Sequence, residues 1–187
     1  MSTLVPELEK RRARRALSDK PIPTDVLERI LHTATLAPSC FNNQPWRFLV
    51  VKDPQKLDLV KKHLSPNNRW ATASPCIILV ATKAPLDCQL EGGRDYALFD
   101  TGMAVMALQA QAVREGLYVH PIAGYKAVEL RKAMGIPEDY VLITLVILGY
   151  PGSDTLLNDK QKELERSERE RKPLAEVVCY DSWQFVG

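Results

Sequence analysis

Arg11, Arg12, Arg14 and Arg15 crowd into five consecutive positions near the start of the chain. A guanidinium fork matches phosphate oxygens through two parallel hydrogen bonds, so such a cluster is suited to clamping a phosphate. On a helix, residues 11 and 15 share a face, as do 11 and 14. A solvated basic helix or a nucleic-acid arm has the same composition. A second group follows at Pro38–Gln44, where Ser39, Asn42, Asn43 and Gln44 supply hydroxyl and amide groups that both donate and accept. That set suits a flat heterocycle with polar edges. An asparagine-rich turn bonding its own backbone is the plain alternative, although Pro45-Trp46 fixes the exit of the loop against a large ring. Near the other end, Arg169, Arg171 and Lys172 complete an anion site if the tail folds back, or form part of a solvated charge run. No paired acids, no Ser-His-Asp set and no metal box can be placed. Cradle residues without an acid, base or nucleophile leave the reaction to a bound cofactor.

The elements that position these groups follow from spacing. Pro6–Leu17 reads as a helix, and Ser18–Asp25 as a loop with Thr24 as the next helix cap. Val26, Leu27, Ile30, Leu31 and Ala34 recur at helical spacing until Pro38 forbids continuation. Phe48–Val51 is a strand. Asp53-Pro54 is a cap and first-turn pair that opens a helix to about Leu64. Cys76–Thr82 is a second strand, and residues 83–93 are an irregular connection. Tyr96–Leu117 is a long helix stopped near Gly116. Its Gly102, Ala104, Ala107, Ala110 and Ala112 permit close approach of another helix, in the chain's own core or at a subunit contact. HPIAGY is a turn and Ala127–Met134 a short helix. Tyr140–Leu148 is apolar on both faces, as a central strand must be. In residues 160–172, ten of thirteen side chains are charged, and this solvated arm ends in the apolar PLAEVVCYDSW, which needs a surface to dock on, such as a neighbouring subunit. Three or four strands separated by helices make an α/β or α+β sandwich. No GxGxxG follows a strand, and there is no P-loop and no GxSxG.

The 187 residues suit one domain, with 45% apolar and 26% charged residues. A net charge of +2 is too small for a surface devoted to nucleic acid and leaves room for a local basic pocket. Cys40, Cys76, Cys88 and Cys179 form no CxxC pair, and His32, His63 and His120 are scattered. The expectation is a reduced, cytoplasmic protein with Cys76 buried and no zinc box. Residues 1–10 do not resemble a signal peptide. The longest apolar stretch, Val141–Tyr150, falls short of the about 20 residues that span a bilayer.

Five segments, in order, resemble motifs of the nitroreductase family: RRARRAL its RRSxRxF, APSCFNNQPWRFLVV its APSSxNxQPWxF, FDTGMAVMALQAQAVREGL its central helix ending in GLG, IAGYKAVELRKAMGIPEDYVLITLVILGYP its GIPE-to-LGYP segment, and RKPLAEVVCYDSW its RKPLxEIV. The match runs from about Arg11 to Trp183. The resemblance implies an α+β fold, an α-β-α sandwich with a central, mainly antiparallel sheet and a long central helix. It implies a single domain over residues 1–187, of which about 155–187 form an arm exchanged in an intertwined homodimer. FMN binds at the interface of such dimers. Carried over residue by residue, Arg11, Arg12 and Arg15 bind the phosphate, with Arg169 and Arg171 as the tail pair. Pro38, Ser39, Cys40 and Asn42 fall where the second subunit covers the flavin. Pro121 and Gly124 match the turn beside the ring, and Asn67 and Arg69 the positions at its pyrimidine edge. Ala13 stands where the family usually has serine, Cys40 replaces another serine, and Ala123 stands where some members have glutamate. The short connection Lys83–Arg94 replaces a helical insertion and implies a more open pocket. The activity implied is an FMN-dependent oxidoreductase passing hydride from NADH or NADPH to a small oxidant, a nitroaromatic or a quinone, in ping-pong fashion. A same-fold flavin enzyme for dehalogenation, ene reduction or flavin breakdown is the first alternative, and a nucleic-acid-binding module the second. Neither nucleic acid nor a membrane is expected as a partner.

Overall fold

A computed structural model describes residues 3–185. Helix α1 (Pro6–Lys10) is short, and α2 (Thr24–Thr35) is the first full helix. Strand β1 (Arg47–Val51) leads to α3 (Pro54–Lys61), whose start is fixed by Asp53 accepting the Lys56 N–H at 3.0 Å. Strand β2 (Cys76–Thr82) is followed by the small hairpin β3 (Gln89–Leu90) and β4 (Arg94–Asp95). Helix α4 (Tyr96–Arg114), strand β5 (Tyr118–Ile122), helix α5 (Ala127–Ala133), strand β6 (Val141–Gly149) and helix α6 (Asp159–Arg166) complete the order. Gly116, at φ +79°, adopts the left-handed turn that stops α4.

The main sheet has the order β1-β2-β6-β5, and each neighbouring pair is antiparallel. The two inner strands are those whose residues are apolar without alternation: Ile77–Val80 and Leu145–Leu148 have no exposure. Because successive side chains leave opposite faces of a strand, these runs feed two cores. Ile77, Leu79, Leu145 and Ile147 pack with Leu57 and Val60 of α3, Leu130 of α5 and Trp70. Ile78, Val80, Val146 and Leu148 pack with Ile30 and Ala34 of α2 and with Val105, Leu108 and Ala112 of α4. The result is helices on both sides of one antiparallel sheet, the α+β sandwich expected. No helix among the described residues is long and apolar enough to cross a membrane.

Four local expectations need correction. The first helix ends at Lys10, and Arg11 already has extended backbone (φ −60°, ψ 120°). The helical backbone bonds are replaced by bonds to distant partners: Arg15 N–H and Ala16 N–H donate to the Glu165 carboxylate, and Gly152 N–H donates to Ala16 C=O. Thr24 is the first residue of α2 and caps nothing; its hydroxyl accepts from Lys52 Nζ. His120, Pro121 and Ile122 lie in β5, not in a turn. β5 is an edge strand, the place where a proline without N–H is tolerated. Finally, Cys40 and Cys88 are joined in a disulfide with Cα atoms 6.2 Å apart, contrary to the all-reduced reading. The pair is separated by 48 residues, so only the folded chain brings it together. Cys76 is buried as expected, and burial pushes its thiol up to about 12.

Candidate functional site

Arg11–Arg15 run extended along one wall of a cleft of about 590 Å³, and α6 with residues 167–171 forms the other wall. Seven basic side chains line it against three acidic ones. The two ends of the chain are stitched together here. Arg12 Nη2 donates to Ser167 C=O at 2.6 Å, and Arg169 Nη2 donates to the carbonyls of Glu9, at 2.6 Å, and Arg11. Glu165 receives two backbone N–H groups of the arginine segment, at 2.9 and 3.3 Å. The crowding has an electrostatic cost. Burial holds the Arg11 guanidinium below its ordinary value, and Arg169, Arg171 and Arg12 depress it further. Burial also lowers Arg15, with Glu165 opposing. Arg169 Nε is buried without a partner. A cluster of like charges carrying an orphaned donor is built for an anion, which would relieve both costs.

The floor beside Arg15 is a stack. Its guanidinium lies 6.0 Å from the Trp70 ring centroid, and Trp70 stacks on His120 at 4.8 Å. His120 Nδ1 lies 3.2 Å from Arg14 C=O, which makes this nitrogen the protonated one. Burial, Arg15 and Arg11 drive His120 down to about 4 against the opposing bond to Arg14 C=O, so it is neutral at pH 7. It holds the arginine segment to β5. Sequence reasoning treated His120 as one of three scattered histidines, and its spacing carried no other signal.

Asn67 and Arg69 sit in the turn of Pro66–Ala73 that carries Trp70. Asn67 C=O accepts from Gln161 of α6 at 2.8 Å, joining this turn to the cleft wall. Its neighbour Asn68 donates to Gly124 C=O at 2.9 Å, and Ser65 N–H donates to the same carbonyl at 3.0 Å. A side chain at 124 would place Cβ 2.6 Å from both Asn68 Nδ2 and Ser65 Oγ, so any residue but glycine must displace these two side-chain ends and disturb the Asn68 bond to Gly124 C=O. Pro121 pairs with Val146 in the sheet. Thus Arg11, Arg12, Arg15, Arg169 and Arg171 meet at one cleft, and Asn67, Arg69, Pro121 and Gly124 belong to the adjoining turn, strand and loop.

The loop of Pro38, Ser39, Cys40 and Asn42 is held by other partners. Cys40 N–H donates to Asp100 Oδ2 at 2.6 Å, Gln44 N–H to Ser39 Oγ at 3.0 Å, and Asn43 Nδ2 to Asp87 Oδ1 at 3.2 Å. Phe41, Asn42 and Gln44 all adopt positive φ (47°, 59° and 50°), and Phe41 is 90% exposed. Such backbone costs on the order of 1 kcal/mol per residue, so a loop that keeps three of them is over-determined by its surroundings, a pattern concentrated at functional sites. The sulfur of Cys40 is taken by Cys88 and is not a free thiol facing a ligand.

The loop also reveals an acid pair that sequence reasoning missed. Asp100 of α4 is buried and lies within hydrogen-bonding reach of Asp87. Burial pushes the Asp100 carboxyl up and Asp87 adds to the rise, while the Cys40 N–H opposes it. The available signal was a lone aspartate on the buried face of the apolar helix YALFDTGMAVM.

Known proteins resemble this chain in sequence and in fold. The family model described as "Nitroreductase family" matches residues 8–150. A relative from Archaeoglobus fulgidus, provisionally named an NADH dehydrogenase/NAD(P)H nitroreductase, is 33% identical over 145 residues, covering 75% of this chain and 81% of that protein. An iodotyrosine deiodinase of Haliscomenobacter hydrossis is 28% identical over 184 residues, covering 83% and 82%. A crystal structure described as an oxidoreductase containing FMN superposes with a TM-score of 0.87 at 27% identity, covering 99% of this chain and 95% of that one. With the family model spanning most of its length, this chain belongs to the nitroreductase family.

Proposed function

We propose that this chain is an FMN-dependent NAD(P)H oxidoreductase that works as a homodimer on small oxidants such as nitroaromatics or quinones. The observation that carries the reading is the convergence of Arg11, Arg12 and Arg15 with Arg169 and Arg171, from opposite ends of the chain, on one cleft. These residues fit the phosphate of FMN: the doubly charged group offsets the mutual repulsion of the guanidiniums, and its oxygens supply the acceptor that buried Arg169 Nε lacks. Relatives named for NAD(P)H nitroreduction and a solved neighbour described as containing FMN support the same assignment.

Bound FMN supplies a carrier that accepts and returns a hydride. The chain supplies position and charge. The arginines grip the phosphate, and Asn67 and Arg69 address the polar edge of the ring, where a cation favours the reduced, anionic form. Pro38, Ser39, Asn42 and the backbone at Cys40 cover the ring from the second subunit. Pro121 and Gly124 border it. Gly124 C=O is already engaged by Ser65 and Asn68, which fixes that border before any ligand arrives. One pocket serves reductant and oxidant in turn, which gives ping-pong kinetics. The arm from about residue 155 belongs to the same single domain and packs on the partner. Its Leu174, Val177, Tyr180 and Trp183 are 54% to 81% exposed in the single chain, an apolar series in need of cover. A cytoplasmic location is part of the same proposal, because the reaction draws on NAD(P)H.

A second reading, reductive dehalogenation, is favoured by the likeness to an iodotyrosine deiodinase. A visible spectrum of the pure protein, followed by anaerobic titration with NADH and NADPH and then with a nitroaromatic, a quinone and iodotyrosine, separates the two. Protein that is colourless and takes up no FMN sinks both.

A further inference from the structure

The Cys40–Cys88 bridge sits among groups that a structural disulfide does not need. Asp87 is nine-tenths buried, and its Oδ2 has no hydrogen-bond partner. Its carboxylate and the two sulfurs all lie within 4.8 Å of one another. Buried Asp100 adjoins the set, and neither acid has an ion-pair partner among the described residues. A buried carboxylate that has one unpaired oxygen and stands beside two sulfurs is costly unless a cation or a proton joins it. We propose that Cys40, Cys88 and Asp87 form a site for a thiophilic divalent metal, zinc being the natural occupant, which the disulfide closes and reduction opens.

The site is held in place without its covalent bridge. Cys40 N–H is fixed on Asp100, and Cys88 N–H donates to Asp87 Oδ1 at 2.8 Å. Asn43 Nδ2 ties the loop to the same Asp87 oxygen, and Tyr96 N–H holds Cys88 C=O at 3.1 Å. Reduction therefore leaves both sulfurs beside the buried Asp87 carboxylate. Two thiolates on zinc stand roughly 3.7 Å apart for Zn–S bonds of about 2.3 Å in a tetrahedron. The Cα separation of 6.2 Å accommodates that by side-chain rotation alone. Sulfur and carboxylate ligands together select zinc-like ions over magnesium or calcium. The Asp87 carboxylate is the third ligand and water the fourth.

The chemistry balances as two separate steps. An external dithiol gives two electrons and two protons to the bridge, yielding two thiols and leaving as its own disulfide. The metal then displaces both thiol protons to solvent as it binds. In a compartment whose thiol pool reduces disulfides, the open state is the prevailing one. An external disulfide that takes two electrons from the bound thiolates, and leaves as two thiols after taking up two protons, re-forms the bridge and releases the metal.

The test uses the full-length flavin-bound protein carrying Cys179→Ser, because Cys179 is partly exposed and would bind metal adventitiously. The protein is reduced with a dithiol, the reductant is removed anaerobically, and cadmium is titrated as the probe. The proposal expects a thiolate-to-cadmium charge-transfer band that saturates at one equivalent, is absent in the unreduced protein, and is displaced by zinc. Cys88→Ser abolishes the band. Asp87→Asn keeps it but weakens binding by about tenfold or more, the loss usual for a disturbed ligand set. The proposal is overturned if reduced protein takes up no cadmium, which leaves a shared proton between Asp87 and Asp100 as the occupant. It is equally overturned if oxidised and reduced protein bind alike, or if Asp87→Asn binds as tightly as the parent. The comparison of reduced with oxidised parent needs no substitution at the site itself, so a site variant that fails to fold does not rescue the idea.

Discussion

Replacing His120 by asparagine should remove a measurable pH dependence of stability that the stack beneath the arginine cleft gives the parent chain. His120 titrates at about 4 in the folded chain and at 6.5 when exposed. Above pH 6.5 the ring is neutral in both states and adds nothing to the pH dependence of stability. As pH falls below 6.5 the unfolded chain takes up a proton that the folded chain refuses until about 4, so stability drops across that window. The slope approaches about 1.4 kcal/mol per pH unit. At pH 5 the accumulated loss from this one group is about 2 kcal/mol, and it saturates near 3 kcal/mol below pH 4. Asparagine keeps an N–H donor close to the Nδ1 position for Arg14 C=O but does not titrate. It gives up the contact with Trp70, so the variant is weaker at every pH; only the pH increment is diagnostic. Urea unfolding at pH 7.5 and pH 5, at one protein concentration, gives that increment for parent and variant. The parent should lose about 2 kcal/mol more than the variant between the two conditions. Equal losses would show that His120 is not held neutral by burial and the neighbouring arginines.

Two further substitutions probe the site from other directions. Arg169→Ala removes the half-buried guanidinium that pins Glu9 and Arg11 and carries the unpaired Nε; a charged hydrogen bond is worth about 1.5–3 kcal/mol, so the Kd for FMN should rise roughly 10- to 100-fold by equilibrium titration, and a rise under about threefold rejects its assigned role. Gly124→Ala drives a methyl to 2.6 Å from Ser65 Oγ and Asn68 Nδ2 and should cost about 1–3 kcal/mol in urea unfolding, whereas unchanged stability contradicts the close approach.

The parts legible in the sequence were those fixed by local chemistry. CIILVAT and VLITLVIL could only be inner strands, because no face of either offers a polar residue run to water, and both are buried between two helical layers. Asp53-Pro54 specified its helix start directly. The grouping of Arg11, Arg12 and Arg15 with Arg169 and Arg171 was anticipated, but on a helix that does not exist. Glu165, some 150 residues away, takes the two N–H groups that a helix would have used, and a partner at that distance leaves no local trace. HPI read as a turn because proline punctuates, yet an edge strand tolerates it. The Cys40–Cys88 bridge, the Asp87–Asp100 pair and the Trp70–His120 stack all join residues far apart in sequence, and no spacing rule encodes such meetings.

The central claim is that guanidiniums from both ends of the chain grip a phosphate. Titrating flavin-stripped protein with FMN and, separately, with riboflavin, which has the same ring and no phosphate, isolates that grip. One FMN should bind per chain, and riboflavin should bind at least about a hundredfold more weakly, from the loss of two charged hydrogen bonds at about 1.5 kcal/mol or more each and about 1.4 kcal/mol per factor of ten. Equal affinity for the two flavins, or no uptake of FMN at all, contradicts it.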